Sequence, residues 1–176
     1  WLPLLPANCY CHLQSLDVSG CTNLQAVTAT SNDLTTINVS GCVALVDLIL
    51  TNNDLTSIDI SGLTSIQYTS WAGNPLLTTV NASGCTGLLS AANNGSPWVS
   101  ANFSGCTALT TLQVFPPATL QDLDFSNCPN IRTLILFCSL TSIDVSSLSH
   151  LTKFTIDSNV LNSLNISGLT EMNEFD

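Results

Sequence analysis

The stretch "LQSLDVSGCTNLQAVTATSNDL", residues Leu13–Leu34, contains the pattern that decides the fold. Its mark "VSGC" at Val18–Cys21 returns as "VSGC" at Val39, "ISGL" at Ile60, "ASGC" at Ala82 and "FSGC" at Phe103. "FSNC" at Phe125, "VSSL" at Val145 and "ISGL" at Ile166 continue it. Counting five residues back from each mark, the units start at Leu13, Leu34, Leu55, Leu77, Trp98, Leu120, Leu140 and Leu161. Their spacings are 21, 21, 22, 21, 22, 20 and 21 residues. A period this strict in the low twenties is the mark of a solenoid, in which each unit buries its apolar face only by stacking on its neighbours. Residues 13–176 therefore read as eight units, with residues 1–12 as the end of a preceding coil or a cap remnant.

Each unit has two halves. The second half reads L-x-x-L-x-L-x-x-N-x-L, as in Leu24, Val27, Ala29, Asn32 and Leu34, and late in the chain as Leu151, Phe154, Ile156, Asn159 and Leu161. Alternation of this kind is the period-two sign of a strand with one buried face. The Asn amide suits the point where the chain turns out of that strand, because it can satisfy backbone groups there. The first half alternates too, with Leu13, Leu16 and Val18 inward and Asp17 outward, and Ser-Gly makes the turn. No segment carries a ten-residue stripe of helical period. The expectation is two short parallel strands per coil, very little helix, and one unbroken sheet through residues 12 to 18 of every unit.

Segments such as "LTSIDISGLTSI" (Leu55–Ile66) and Leu13–Leu34 resemble the bacterial internalin-like leucine-rich repeats over essentially residues 13–176. The resemblance implies a right-handed horseshoe or rod whose concave face is a parallel sheet. It also implies a cell-surface or secreted protein that binds proteins or glycans. The chain departs from the family where Ser96, Ala118 and Ser139 replace the asparagine, beside Pro97, Pro116 and Pro117. Irregular coil exits are expected there. No helical cap is recognisable at either end, and the start at Trp1 suits a fragment or a chain whose ends neighbours hold.

Composition excludes several functions. Lys and Arg number two, Arg132 and Lys153, against 12 Asp and Glu, for a net charge of −10. No run of phosphates can be neutralised by such a surface, which argues against nucleic acid as a partner and against adsorption to an anionic membrane. No apolar run reaches the length of a spanning helix, so membrane insertion is not expected.

Enzymatic chemistry is not expected, and neither is a cofactor. The two histidines, His12 and His150, lie about six coils apart, roughly 30 Å at one strand spacing per coil, so they cannot converge on one substrate. The fifth column of the repeat, Asp17, Asn38, Asp59, Asn81, Asn102, Asp124, Asp144 and Asn165, reads as a ladder of turn caps. Calcium at the Asp124/Asp144 edge is the weaker reading. Cys9, Cys11 and His12 lack a fourth ligand and match no common zinc spacing, so no metal is expected.

Five of the eight cysteines, Cys21, Cys42, Cys85, Cys106 and Cys128, share one column that Leu63, Leu148 and Leu169 fill elsewhere. Exchange with Leu marks a buried apolar position. Parallel Cβ vectors one strand apart suit a disulfide poorly, so reduced core thiols are favoured over bridges. Cys138 continues the Leu134, Leu136, Leu140 alternation and belongs to the core as well.

The outward positions of the second-half strands are mostly small and polar. Ile49, Tyr68, Phe115, Ile135 and Phe137 are the larger candidates for contact, and Phe115, Ile135 and Phe137 should be neighbours on adjacent coils. An exposed apolar cluster with aromatic members marks a contact surface, unless a proline-bent loop at Phe115–Pro117 folds over it. Asn38, Asn81, Asn94, Asn102 and Asn165 begin N-x-S sequons, candidates for N-glycosylation in a eukaryotic or archaeal secreted chain. Two functions remain. One is an extracellular, non-enzymatic adhesion or recognition module for a protein or glycan. The other is a structural subunit of a filament, sheath, spacer or virion surface that assembles with copies of itself through the solenoid ends or the apolar patch.

Overall fold

The computed structural model describes residues 11–116, 120–157 and 160–176. They form a parallel β-solenoid of about seven turns, each roughly 21 residues, with no helix among the described residues. The first-half strands are β1 (Ser15–Asp17), β3 (Thr36–Asn38), β5 (Ser57–Asp59), β7 (Thr79–Asn81), β9 (Ser100–Asn102), β11 (Asp122–Asp124), β13 (Ser142–Asp144) and β15 (Ser163–Asn165). The second-half strands are β2 (Ala26–Thr28), β4 (Asp47–Ile49), β6 (Tyr68–Ser70), β8 (Ser90–Ala92), β10 (Thr111–Val114), β12 (Thr133–Phe137), β14 (Lys153–Asp157) and β16 (Glu174–Phe175). Two strands per coil are thus present, as the double alternation requires.

The core is a stack of columns, one residue per coil. Leu34, Leu55, Leu77, Trp98, Leu120 and Leu140 make one; Leu45, Ile66, Leu88, Leu109, Ile131 and Leu151 make another, all buried. A fully buried Leu or Ile contributes about 1.5–3 kcal/mol, and repetition turns that into one continuous apolar spine. The turn after seven of the eight first-half strands holds a left-handed residue. Glycine supplies it in six units, for example Gly20 at φ 73°, and Asn127 at φ 58° takes the place of glycine in "FSNC". Asn tolerates that region better than other side chains do.

The expected single sheet is interrupted. The second-half strands run as β2-β4-β6 and then as β8-β10-β12-β14-β16, with no pairing between β6 and β8. The cause is Trp71. In the preceding coils the residue after each strand donates its backbone N–H to the next coil, Ala29 to Ile49 O at 2.9 Å and Leu50 to Ser70 O at 2.7 Å. At the equivalent place the indole Nε1–H of Trp71 takes Ala92 O, at 2.8 Å. Its ring fills the core between the coils, 5.8 Å from that of Trp98. The first-half strands break as well, between β3 and β5 and between β11 and β13. The breaks are staggered, so every pair of neighbouring coils keeps at least one ladder.

Candidate functional site

Strands β10, β12 and β14 pair in register, setting Gln113, Ile135 and Thr155 in one row. One alternation further along the same face, Phe137 lies opposite Asp157, and Phe115 stacks on Phe137 with ring centroids 5.7 Å apart and planes 24° from parallel. The aromatic neighbours expected on adjacent coils are therefore together, and Ile135 sits half-buried beside them. Phe115 is 38% exposed. Pro116 beside it is exposed, while Pro117 and Ala118 lie outside the described residues. Tyr68 and Ile49 stand apart, on β6 and β4 beyond the sheet break. There Tyr68 pairs with Asp47 and Ile49 with Ser70, so the two are not directly opposite.

Phe115 is held by a residue that the repeat pattern does not single out. Its backbone N–H donates to Asn93 Oδ1 at 2.8 Å, and its carbonyl accepts from Asn93 Nδ2 at 2.6 Å. Asn93 is fully buried, and Nδ2 also donates to Ser96 O at 2.8 Å. It occupies the column of Ala29, Leu50, Trp71, Val114 and Leu136. An amide among apolar residues was the available signal. In the first coils the exit asparagines work as expected and point backward: Asn53 accepts from Leu34 N at 3.1 Å and donates to Ala29 O and Leu50 O, both at 2.9 Å. Asn74 repeats this with Leu55, Leu50 and Trp71. Where Ser96 replaces that residue, Asn93 supplies the amide and turns it forward, onto Phe115.

The cysteine column holds a second regular arrangement. Cys42, Cys85, Cys106 and Cys128 are buried free thiols. Each donates Sγ–H to a carbonyl of the coil before it: Val18 O at 3.1 Å, Ile60 O at 3.0 Å, Ala82 O at 3.1 Å and Phe103 O at 3.0 Å. Burial pushes the Cys85 thiol up to about 11 and the Cys106 thiol up to about 12. Cys138 is buried too. Cys21, expected in the core, is exposed; it lies in the first described unit, whereas each buried thiol of this column bonds a carbonyl of the coil before it. Such thiols are packing elements; a nucleophile needs a lowered pKa and access.

The fifth column caps the turn in all eight units. Its carboxylate or amide oxygen accepts the backbone N–H two residues on, between Asp124 and Ser126 at 2.8 Å and between Asn81 and Ser83 at 3.2 Å. The sequons inherit this geometry. Asn38, Asn102 and Asn165 also accept the hydroxyl of their own serine, at 2.8, 2.7 and 2.8 Å, whereas Asn81 donates Nδ2–H to Asp59 at 3.2 Å. Asn94 is exposed, but its sequon serine, Ser96, is fully buried.

The cations are engaged. Arg132 Nη1 lies 3.9 Å from Glu171, His150 Nδ1 lies 2.9 Å from the same carboxylate, and Lys153 bonds Glu174. His12 pairs with Asp33 at 2.8 Å, and Cys9 lies outside the described residues. Among the described residues no three His, Cys, Asp or Glu side chains gather as a metal site, and no helix is long and apolar enough to cross a membrane. A cleft of about 200 Å³ opens at the β3–β5 break, lined by Asn38, Ser40, Asp59 and Leu63 among others. Ligand pockets begin at roughly 300 Å³. No known protein family, curated protein or solved structure matches the chain.

Proposed function

We propose that the chain is a non-enzymatic recognition module of the leucine-rich repeat class. In this reading it acts outside the cell or at the cell surface and binds a protein or glycan through the face formed by the second-half strands, taken as the concave side of the horseshoe. The observation that carries the reading is the stacked pair of exposed Phe115 and half-buried Phe137 on a mostly small and polar surface. A solenoid does not fold distant residues back onto one another, since each coil touches only its neighbours. It offers a long regular surface instead, and the one stacked aromatic pair found on this face among the described residues is held in place by a buried amide.

The test is an array of purified extracellular proteins and of glycans, probed with the chain and with its Phe115→Ser/Phe137→Ser variant. Binding that the double variant abolishes, while thermal stability falls by no more than the roughly 0.5–1.5 kcal/mol of an aromatic pair, supports the reading. If binding persists and stability falls by several kcal/mol, the rings are core and the reading fails. Sedimentation of the same two proteins separates ligand recognition from assembly with further copies. A concentration-dependent rod lost in the variant would make the patch a subunit contact.

A further inference from the structure

Resting on that reading, we infer that the occupant of the Phe115–Phe137 site is a cationic protein surface. An Arg or Lys would seat against the Phe137 ring, with Asp157 as its counter-charge. Parallel register sets Phe137 and Asp157 directly opposite each other on β12 and β14, about 4.8 Å apart at strand spacing. Phe115 stacks on Phe137 from the other neighbouring strand. One face of the Phe137 ring is thus covered by Phe115, and the other is turned toward the strand that carries the carboxylate. A cation within about 6 Å of a ring centroid gains from the ring quadrupole, and a carboxylate on the next strand adds a charge-assisted hydrogen bond. Asp157 is exposed and makes no ion pair among the described residues.

The charge of the whole chain selects among occupants. At −10 with two cationic side chains, both already facing Glu171 or Glu174, a second copy brings no free Arg or Lys to this site and repels at long range. A neutral glycan gains nothing from Asp157 as a charge. A basic protein surface gains from both the local carboxylate and the overall field, which steers it inward.

The experiment titrates the chain with an end-blocked peptide of alternating Arg and Leu, its Glu-for-Arg counterpart, and a neutral glucan oligosaccharide. Asp157→Asn, the Phe115→Ser/Phe137→Ser variant, and Asp144→Asn (an exposed acid on the other set of strands) serve as comparisons. The Arg peptide should bind, and weaken as salt rises. It should lose roughly tenfold or more in affinity with Asp157→Asn, as loss of a charge-assisted bond implies, and little with Asp144→Asn. Equal losses in the two Asn variants, or equal binding of the Glu peptide, would overturn the inference by making the attraction non-specific. If only the glucan binds, and the double Phe variant removes that binding, the recognition reading stands and the cationic inference falls. If the double Phe variant changes no binding at all, both fall.

Discussion

Asn93 grips Phe115 by both backbone groups at once, accepting from its N–H at 2.8 Å and donating to its carbonyl at 2.6 Å. A strand would normally satisfy those groups by pairing, but Phe115 lies just past the end of β10, and Pro116 follows it without an N–H to donate. A buried amide does the work of a partner strand and fixes where the aromatic pair begins.

Asn93→Leu, which restores the apolar type of the column, should cost about 1–3 kcal/mol through the backbone groups it leaves unpaired. It should also weaken binding at the patch, although it touches no ligand. Denaturant midpoints and patch affinity measured side by side check this. Loss of stability with unchanged affinity would show that Phe115 keeps its place without the clamp.

The other side of the sheet break predicts a gain. Thr69 stands in the core column of Val27, Leu48 and Leu112, and its Oγ1 is buried with no hydrogen-bond partner among the described residues. Thr69→Val exchanges that hydroxyl for a methyl of the same shape. Stability should rise by about 1 kcal/mol, the lower end of the cost of an unsatisfied buried group. A fall in melting temperature would mean that Oγ1 has a partner in solution.

The period made most of this fold readable. Leucine columns, the Ser-Gly turn and the capping fifth column depend only on residues that recur, so eight copies of the same local chemistry reinforce one another. What recurrence cannot reveal is the exception. Trp71 replaces a backbone donor with its indole, and Asn93 replaces an exit asparagine from a different column. Each acts once, through geometry that no other unit displays. Phe115, Ile135 and Phe137 were visible as an apolar group because strand alternation fixes their face. Alternation alone gives Asp157 only an outward face; pairing across β12 and β14 is what puts it opposite Phe137. Cys21 shows the converse limit, since its column predicts burial and the thiol of the first described unit is exposed all the same.

Close approach of backbone, rather than a left-handed φ, dictates Gly87. A Cβ there would lie 2.8 Å from Thr64 O and 2.9 Å from Ile66 O, both main-chain atoms of the preceding coil. Gly87→Ala should therefore cost about 1–3 kcal/mol, the usual range for forcing an extra carbon into a packed site. In an exposed loop glycine the same change would be neutral. Thermal denaturation of the variant decides it, and an unchanged midpoint would mean that the two coils separate at little cost.

Acid should act through the turn caps. At Asp17 the backbone N–H of Ser19, and at Asp144 the hydroxyl and N–H of Ser146, hold the carboxyl below the ordinary value of 3.8. A depressed folded-state value contributes stability that is present above the unfolded value and lost as pH falls through the folded one. Asp144→Asn keeps the accepting oxygen, as Asn38 and Asn165 do, so it should fold normally with a smaller loss of stability below about pH 4. Asp144→Ala removes the cap and should lower the melting temperature at every pH. Equal acid sensitivity in Asp144→Asn and the parent would place the acid response elsewhere.

The thiol column is predicted to respond at the opposite end of the pH range. Cys85, at about 11, and Cys106, at about 12, hold their protons in the folded state well above the ordinary thiol value of 9.0, because burial penalises the thiolate. Unfolding frees them to ionise. Their contribution to stability is whole below pH 9 and is lost as pH rises from there through the folded-state values. Denaturant midpoints should hold steady up to about pH 9 and then fall, with Cys106→Leu reducing the fall because leucine occupies this column in three other units. Alkylation mapped by mass should mark Cys21 in the native protein, and Cys42, Cys85, Cys106, Cys128 and Cys138 only after denaturation, following the exposure of the first and the burial of the rest. Rapid native labelling of Cys106 would mean that the coils open on the timescale of the reagent. Failure to label after denaturation without reductant would mean that the column is bridged, and that the bonds to Val18, Ile60, Ala82 and Phe103 carbonyls do not describe its working state.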